Sequence, residues 1–432
     1  MTRKSRAWTT LPLAAGIFLW AASAFSAGFG IFEQGAKATG MGGAFTGLAD
    51  DPSAIFYNPA GVGFQDHYSA MAGTTLITFT KSEFRGSDPL PGTGDRAEYH
   101  KTTFFPSNLY VVAPVTSNIK FGLGVFSPFG LGVRWKNPET FSGRFISQNT
   151  NIKTFSIEPV VAIRATPTLS LALGAEYRIS NVTIEQNQAK EDPFTSSFAD
   201  VAHVKLASDN GHGWGWNAGL LWKPVPAFSL GASYRSKMTI DYTGTARFTQ
   251  RLTGDPVFDQ LVAAGLPGEA KVKTSVDFPA IASFGVAFHA PQELTVSADA
   301  VWTQWSRFSA LNIQFPNHDP GTADIHRDTG WKNSWSYRIG AEKKFSALAV
   351  RAGFVYDQTP QPDRDVSPIL PDANRRGYCL GLGYSSERWG VDVADMYLPF
   401  SDRNTHGKNG DGFNGVYKLT ANLFGLNFRL SF

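Results

Sequence analysis

Along most of the chain, apolar and polar residues alternate one for one. Between Leu169 and Ile179 one face carries Leu169, Leu171, Leu173, Ala175, Tyr177 and Ile179, and the other Ser170, Ala172, Gly174, Glu176 and Arg178. A repeat of two is the side-chain period of a β-strand. The same alternation sets Phe228, Leu230, Ala232, Tyr234, Met238 and Ile240 against Ser229, Arg235, Lys237 and Asp241. It sets Leu348, Val350, Ala352, Phe354 and Tyr356 against Arg351 and Asp357, and Tyr378, Leu380, Leu382 and Tyr384 against Gly377, Cys379, Gly381 and Gly383. About fourteen such segments can be marked. They begin near Tyr68, Lys101, Asn118, Asn151, Thr168, Gly211, Phe228, Lys271, Glu293, Trp331, Leu348, Arg375, Trp389 and Gly415.

A soluble sandwich also alternates, so the period alone does not choose an architecture. Three further features do. Many segments run to about ten residues or more, as tilted membrane strands must and soluble strands usually do not. The faces opposite the apolar ones carry charges of both signs, which suits a polar lumen. Trp302, Trp305, Trp331, Trp335 and Tyr337 cluster near segment ends, like the aromatic girdles at a membrane–water boundary. Short connections such as 166–168, 223–227 and 345–347 alternate with long ones such as 187–210, 244–270 and 358–374. Short periplasmic turns and long external loops are the pattern of an outer-membrane barrel. The expectation is therefore an all-β fold: a transmembrane antiparallel β-barrel of about fourteen strands, with both termini on the periplasmic side. The last strand ends in Phe432, which resembles the signal read by the outer-membrane barrel assembly machinery.

The start of the chain reads as an export signal. Arg3, Lys4 and Arg6 precede an apolar run from Leu11 to Ala22, and Ala24 and Ser26 supply small residues for cleavage. Residues 1–26 are assigned to this signal, with cleavage expected after Ser26. The signal contains three of the 39 basic residues and none of the 36 acidic ones, so the mature chain is formally neutral. Nothing in the charge points to nucleic acid. A single cysteine, Cys379, excludes an intrachain disulfide. No Pro- or Ser-rich linker divides the chain, so a barrel over 67–432 leaves only 27–66 to place. That segment is too rich in Phe, Ile and Tyr for a disordered tail. Its Gly40, Gly42, Gly43 and Gly47 permit close backbone approach, and it reads as a hatch inside the lumen.

The start AGF and the run GMGGAFTGLADDPSAIFYNPAG, with its Asn58-Pro59-Ala60 motif, resemble the FadL family of outer-membrane transporters of long-chain fatty acids and other hydrophobic compounds. The likeness continues through Gly213–Gly219, Tyr234–Ser236, Trp302–Ser306, Gly330–Lys332 and Asp357–Pro362. It implies a fourteen-stranded barrel with an N-terminal hatch, capture of substrate in an external groove, and lateral release at a kink in the third strand. That strand contains Phe121-Gly-Leu-Gly-Val-Phe-Ser-Pro-Phe-Gly-Leu-Gly-Val133. Pro128 removes a ladder donor beside Gly130, so Pro128, Phe129 and Gly130 are the expected lateral gate.

Several substrate contacts follow from the same resemblance. Phe29 lies near the mature N-terminus, which the family uses as part of its binding site. Lys332 stands where the family has a basic residue facing the substrate carboxylate, and its parity with Ser334, Ser336 and Arg338 points it inward. The family's second basic residue is replaced by Gln186, which favours neutral ligands. Phe194, Phe198, Phe258 and Leu261 lie on long loops and suit an apolar capture groove. Partners implied are a long-chain fatty acid or other hydrophobic small molecule, and lipopolysaccharide and membrane lipid in the bacterial outer membrane. Uptake of neutral aromatic or alkane hydrocarbons is the alternative. His318, Asp319, Asp324, His326 and Asp328 share a loop without metal-ligand spacing, no Gly-x-Ser-x-Gly elbow occurs, and neither a cofactor, a metal nor an enzyme is expected.

Overall fold

The computed structural model describes residues 28–405 and 407–432. The signal assigned to residues 1–26, and its cleavage site, lie outside them. Fourteen antiparallel strands form the wall. They are β1 (Ser69–Gly86), β2 (Thr103–Phe104 and Ser107–Pro114), β3 (Ile119–Phe126 and Gly130–Arg134), β4 (Asn149–Thr166), β5 (Leu169–Glu191), β6 (Phe198–Ser208 and Gly211–Val225) and β7 (Phe228–Arg235 and Met238–Gln250). They continue as β8 (Glu269–Phe278 and Ile281–Ala290), β9 (Leu294–Thr303 and Ala310–Gln314), β10 (Ile325–Asp328 and Ser334–Phe345), β11 (Leu348–Asp357), β12 (Arg375–Ser385), β13 (Trp389–Pro399) and β14 (Gly415–Ser431). β1 and β14 close the cylinder from Ser69↔Ser431 to Gly86↔Gly415, so the first and last strands leave no open edge to hydrocarbon. The alternating apolar residues read from the sequence face outward below the loops: Leu171, Leu173, Phe284, Val286, Leu380 and Leu382 are all exposed.

Five neighbouring strands, β6 to β10, are interrupted part-way up, and the polarity of the wall inverts there. Below the break, β7 buries Ser229 and Arg235 and exposes Phe228 and Tyr234; above it, Met238, Ile240 and Tyr242 are buried while Lys237, Thr239 and Asp241 are exposed. Met238 and Ile240 therefore do not share the face of Phe228, as unbroken parity required. β6 carries one residue more than β5 between Ser180↔Gly211 and Thr183↔Ala207, and a single extra residue moves every later side chain to the opposite face. β5 reaches the same result without changing parity, since its inward residues become Val182 and Ile184. Toward the long loops, then, the barrel has an apolar interior and a polar exterior. Trp305 and Trp331 belong to that interior: both are buried, and not girdle residues like the exposed Trp335 and Tyr337.

Residues 28–64 fill the lumen on the short-turn side, all buried except Phe32, Asp50 and Phe64. They form α1 (Ala36–Gly40), α2 (Ala54–Tyr57) and a 3-10 turn at Pro59–Phe64. Wall side chains hold their backbone. Asp299 accepts from the amides of Phe45 and Thr46 at 2.8 and 2.7 Å, and Ser229 donates to the Gly47 carbonyl at 2.7 Å. Wall glycines let the hatch approach: a Cβ on Gly231 would stand 2.0 Å from the Thr46 carbonyl oxygen. Gly231→Val should push the hatch off the wall while leaving the barrel assembled. The expected result is a raised ion current across a planar bilayer with heat-modifiable gel migration retained; an unchanged current would contradict this tight seating.

Candidate functional site

The wall changes character at β3. Its ladder with β2 ends at Leu109↔Val125. With β4 it runs to Phe126↔Ser156 and resumes at Gly130↔Lys153, so Ser127, Pro128 and Phe129 oppose only two residues. This bulge turns the strand inward, and from Phe126 to Val133 no side chain is exposed. Among the described residues, no ladder pairing joins 127–133 to β2. The hatch supplies that edge instead. Ile31 N donates to the Pro128 carbonyl at 2.8 Å, Gly130 N donates to the Phe29 carbonyl at 2.8 Å, and Gly30 bridges Phe129. Gln34 Nε2 adds a bond to the Ser127 carbonyl at 2.7 Å. Above the break, Tyr99 pairs with Trp135 and closes the wall again.

Phe29, brought to the break by this pairing, is fully buried in a box of rings. Its centroid lies 4.8 Å from Trp305, 5.3 Å from Phe308, and 5.9 Å from each of Phe129, Phe278 and Trp331. Each such pair contributes about 0.5–1.5 kcal/mol beyond area burial, so the ring anchors the start of the hatch. A cavity of about 60 Å³ adjoins the box, walled by Phe29, Leu131, Ile152, Phe308, Leu311 and Trp331. Leu131 is the residue after Gly130, so the cavity abuts the bulged strand directly.

Below the box lies a buried ionic cluster. Arg178 spreads its guanidinium 4.7 Å from the Phe129 ring and 4.8 Å from Phe278, donating to Glu176 at 2.5 Å. Arg235 bonds Glu158 and Glu176, and it also donates to the Phe56 carbonyl of the hatch at 3.3 Å. Two cations and two carboxylates thus balance, as buried charges must.

The residues singled out from the sequence do not form one pocket. Asn58 is buried and seats the hatch: its Nδ2 donates to the Thr46 carbonyl at 2.9 Å and to the Leu220 carbonyl at 3.0 Å, and its Oδ1 accepts from Ala60 N at 3.2 Å. Pro59 opens the following 3-10 turn. Phe29, Pro128, Phe129 and Gly130 do converge at the wall break. Lys332 does not face inward. Regular pairing in β10 starts only at Ser334, Lys332 N bonds the Pro360 carbonyl, and the irregular backbone buries Trp331 and exposes Lys332. Gln186 is half-buried high on β5, opposite Val204. Phe258, on α3 (Pro256–Gly265), is buried against Val201, Ala202 and Val262, whereas Phe194, Phe198 and Leu261 remain exposed at the long-loop end. Phe278, Phe308 and Leu131 escaped the sequence reading, because nothing local to them signals a cavity wall; Trp305 and Trp331 carried a signal that pointed to the wrong face.

Residues 17–432 match the family described as outer membrane protein transport protein (OMPP1/FadL/TodX). A long-chain fatty acid transport protein of Escherichia coli is 24% identical over 451 residues, covering 98% of this chain and 99% of its own. The outer membrane protein P1 of Haemophilus influenzae is 27% identical over 476 residues, covering 97% and 98%. Among solved structures, a Pseudomonas aeruginosa FadL homologue superposes with a TM-score of 0.77 at 22% identity, over 94% of this chain and 100% of its own. The Pseudomonas putida toluene transporter TodX superposes with a TM-score of 0.71 at 17% identity, over 93% and 99%.

Proposed function

Because the chain belongs to the OMPP1/FadL/TodX family of transport proteins of the bacterial outer membrane, we propose that it takes up hydrophobic molecules and releases them sideways through the break in β3. The observation that carries this reading is the juxtaposition at Gly130: a wall strand without its neighbour on one edge, an apolar cavity beside it, and Phe29 between them. The apolar interior above the polarity inversion supplies a continuous greasy lining from the long loops down to the box. A sideways exit delivers the solute to lipid and avoids exposing its apolar surface to water at about 25 cal/mol per Å². The packed hatch obstructs the axial alternative.

The substrate class that suits this site best is neutral, an aromatic or aliphatic hydrocarbon. A carboxylate leaving water without a partner loses several kcal/mol. Lys332 is turned away, Gln186 carries no charge, and Arg178 is committed to Glu176. A fatty acid is the second reading, favoured by curated relatives that are fatty acid transport proteins; Arg327 on the cavity rim, 3.4 Å from Asp411, would then be its partner. Uptake of toluene and oleate by reconstituted liposomes distinguishes the two. The expected result is salt-insensitive toluene uptake that Lys332→Ala leaves unchanged. Oleate uptake alone, lost on Arg327→Gln, would establish the second reading.

A further inference from the structure

Lys332 raises a separate question, since the fold places it outside the barrel. It is not the only cation so placed. The interruptions of β7, β9 and β10 carry Lys237, Arg307 and Lys332 respectively, all at the level where the wall changes polarity. The three breaks are neighbours across the surface. Asp277 of β8 accepts from Thr239 Oγ1 beside Lys237 and lies 3.7 Å from Arg307 Nη2, while Ser306 N donates to Asn333 Oδ1 at 3.1 Å. Asp277 answers one of the three charges. Among the described residues, the side chains of Lys237 and Lys332 are exposed and make no ion pair. The patch therefore has a net charge of +2 with donors to spare.

Directly below it, outward aromatic side chains mark the edge of the hydrocarbon. Trp302 and Trp335 are register partners on β9 and β10, and Trp216 and Tyr234 lie 5.1 Å apart on β6 and β7. Rings of this kind sit at the headgroup level, with cations just above them among anionic groups. We propose that Lys237, Arg307 and Lys332 form a binding site for the phosphate groups of an outer-leaflet glycolipid of the lipid A type. The acyl chains would lie along the exposed Phe284, Val286 and Ile339. The phosphates would be met by the three cationic side chains at the strand interruptions, and the aromatic belt sets their depth. Charge complementarity and this depth together select a membrane lipid over a soluble anion. The site does not depend on the route that a transported molecule takes.

Native mass spectrometry of the purified barrel in detergent, titrated with lipid A, tests the assignment. At about fivefold in affinity per surface cation, the Lys237→Gln, Arg307→Gln, Lys332→Gln variant should bind diphosphorylated lipid A on the order of a hundredfold more weakly. A Lys237→Arg, Lys332→Arg variant should bind it as the wild type does, and enzymatically dephosphorylated lipid A should bind poorly to both. Heat-modifiable migration of the triple variant checks that the barrel is assembled. Equal retention of lipid A by wild type and the triple variant would overturn the proposal. So would equal binding of dephosphorylated lipid, or displacement of lipid A by inorganic phosphate at millimolar concentration.

Discussion

Removing residues 28–63 is expected to leave a folded barrel that conducts ions freely. The ladder closes through β1 and β14 without any hatch residue, so its backbone hydrogen bonds survive the deletion. The interior charges survive as well. Arg178, Glu176, Arg235 and Glu158 pair among themselves on wall strands, as do Arg351, Glu342 and Asp392. Groups that the hatch now satisfies, such as Asp299 and Arg338, would be hydrated in an open lumen at little cost. The loss falls on apolar packing, because Tyr110, Val112, Phe126 and Leu221 would face water. Stability should drop, but a fourteen-strand cylinder without a plug encloses a water-filled passage. Planar-bilayer recordings should show a steady open current absent from the intact chain, with heat-modifiable migration preserved. Failure of the truncated chain to assemble would show instead that the hatch is part of the folding core.

Much of this was legible in the sequence, for physical reasons. Outward residues of a lipid-facing strand must be apolar and inward ones need not be, so segments such as Leu169–Ile179 announce both strand and face. The start of nearly every strand follows from that alternation and from turn lengths. The inversion in β6 to β10 was not legible, because a break such as the two residues Ser236-Lys237 in β7 leaves composition unchanged while reversing parity. Lys332 was misplaced by the same mechanism, its parity being counted across backbone that is not extended ladder. The Asn58-Pro59-Ala60 turn was readable as a motif. Its partners, Thr46 and Leu220, were not, since one of them is 162 positions away. The aromatic box is assembled from five chain segments, and no local period encodes such a meeting.

If solute leaves through the wall at β3, repairing that wall should stop it. Ser127, Pro128 and Phe129 oppose only Thr154 and Phe155, so the bulge is one residue long, and Pro128 supplies no donor. Deleting Ser127 together with Pro128→Val removes the extra residue and restores the amide. Alternation would then run unbroken, since Phe126 and, above the repair, Phe129, Leu131 and Val133 all keep their inward faces. The N-terminal segment loses its docking edge, so Ile31 and Phe29 give up their bonds to Pro128 and Gly130. The lumen above remains as it was, and the long-loop entrance is untouched. The decisive measurement is made on this repaired barrel in liposomes, with binding of a radiolabelled hydrophobic substrate and its transfer to the liposome membrane read separately. Retained binding with transfer reduced to that of protein-free liposomes is the predicted result; transfer at the wild-type rate from a correctly folded, repaired barrel would contradict lateral release.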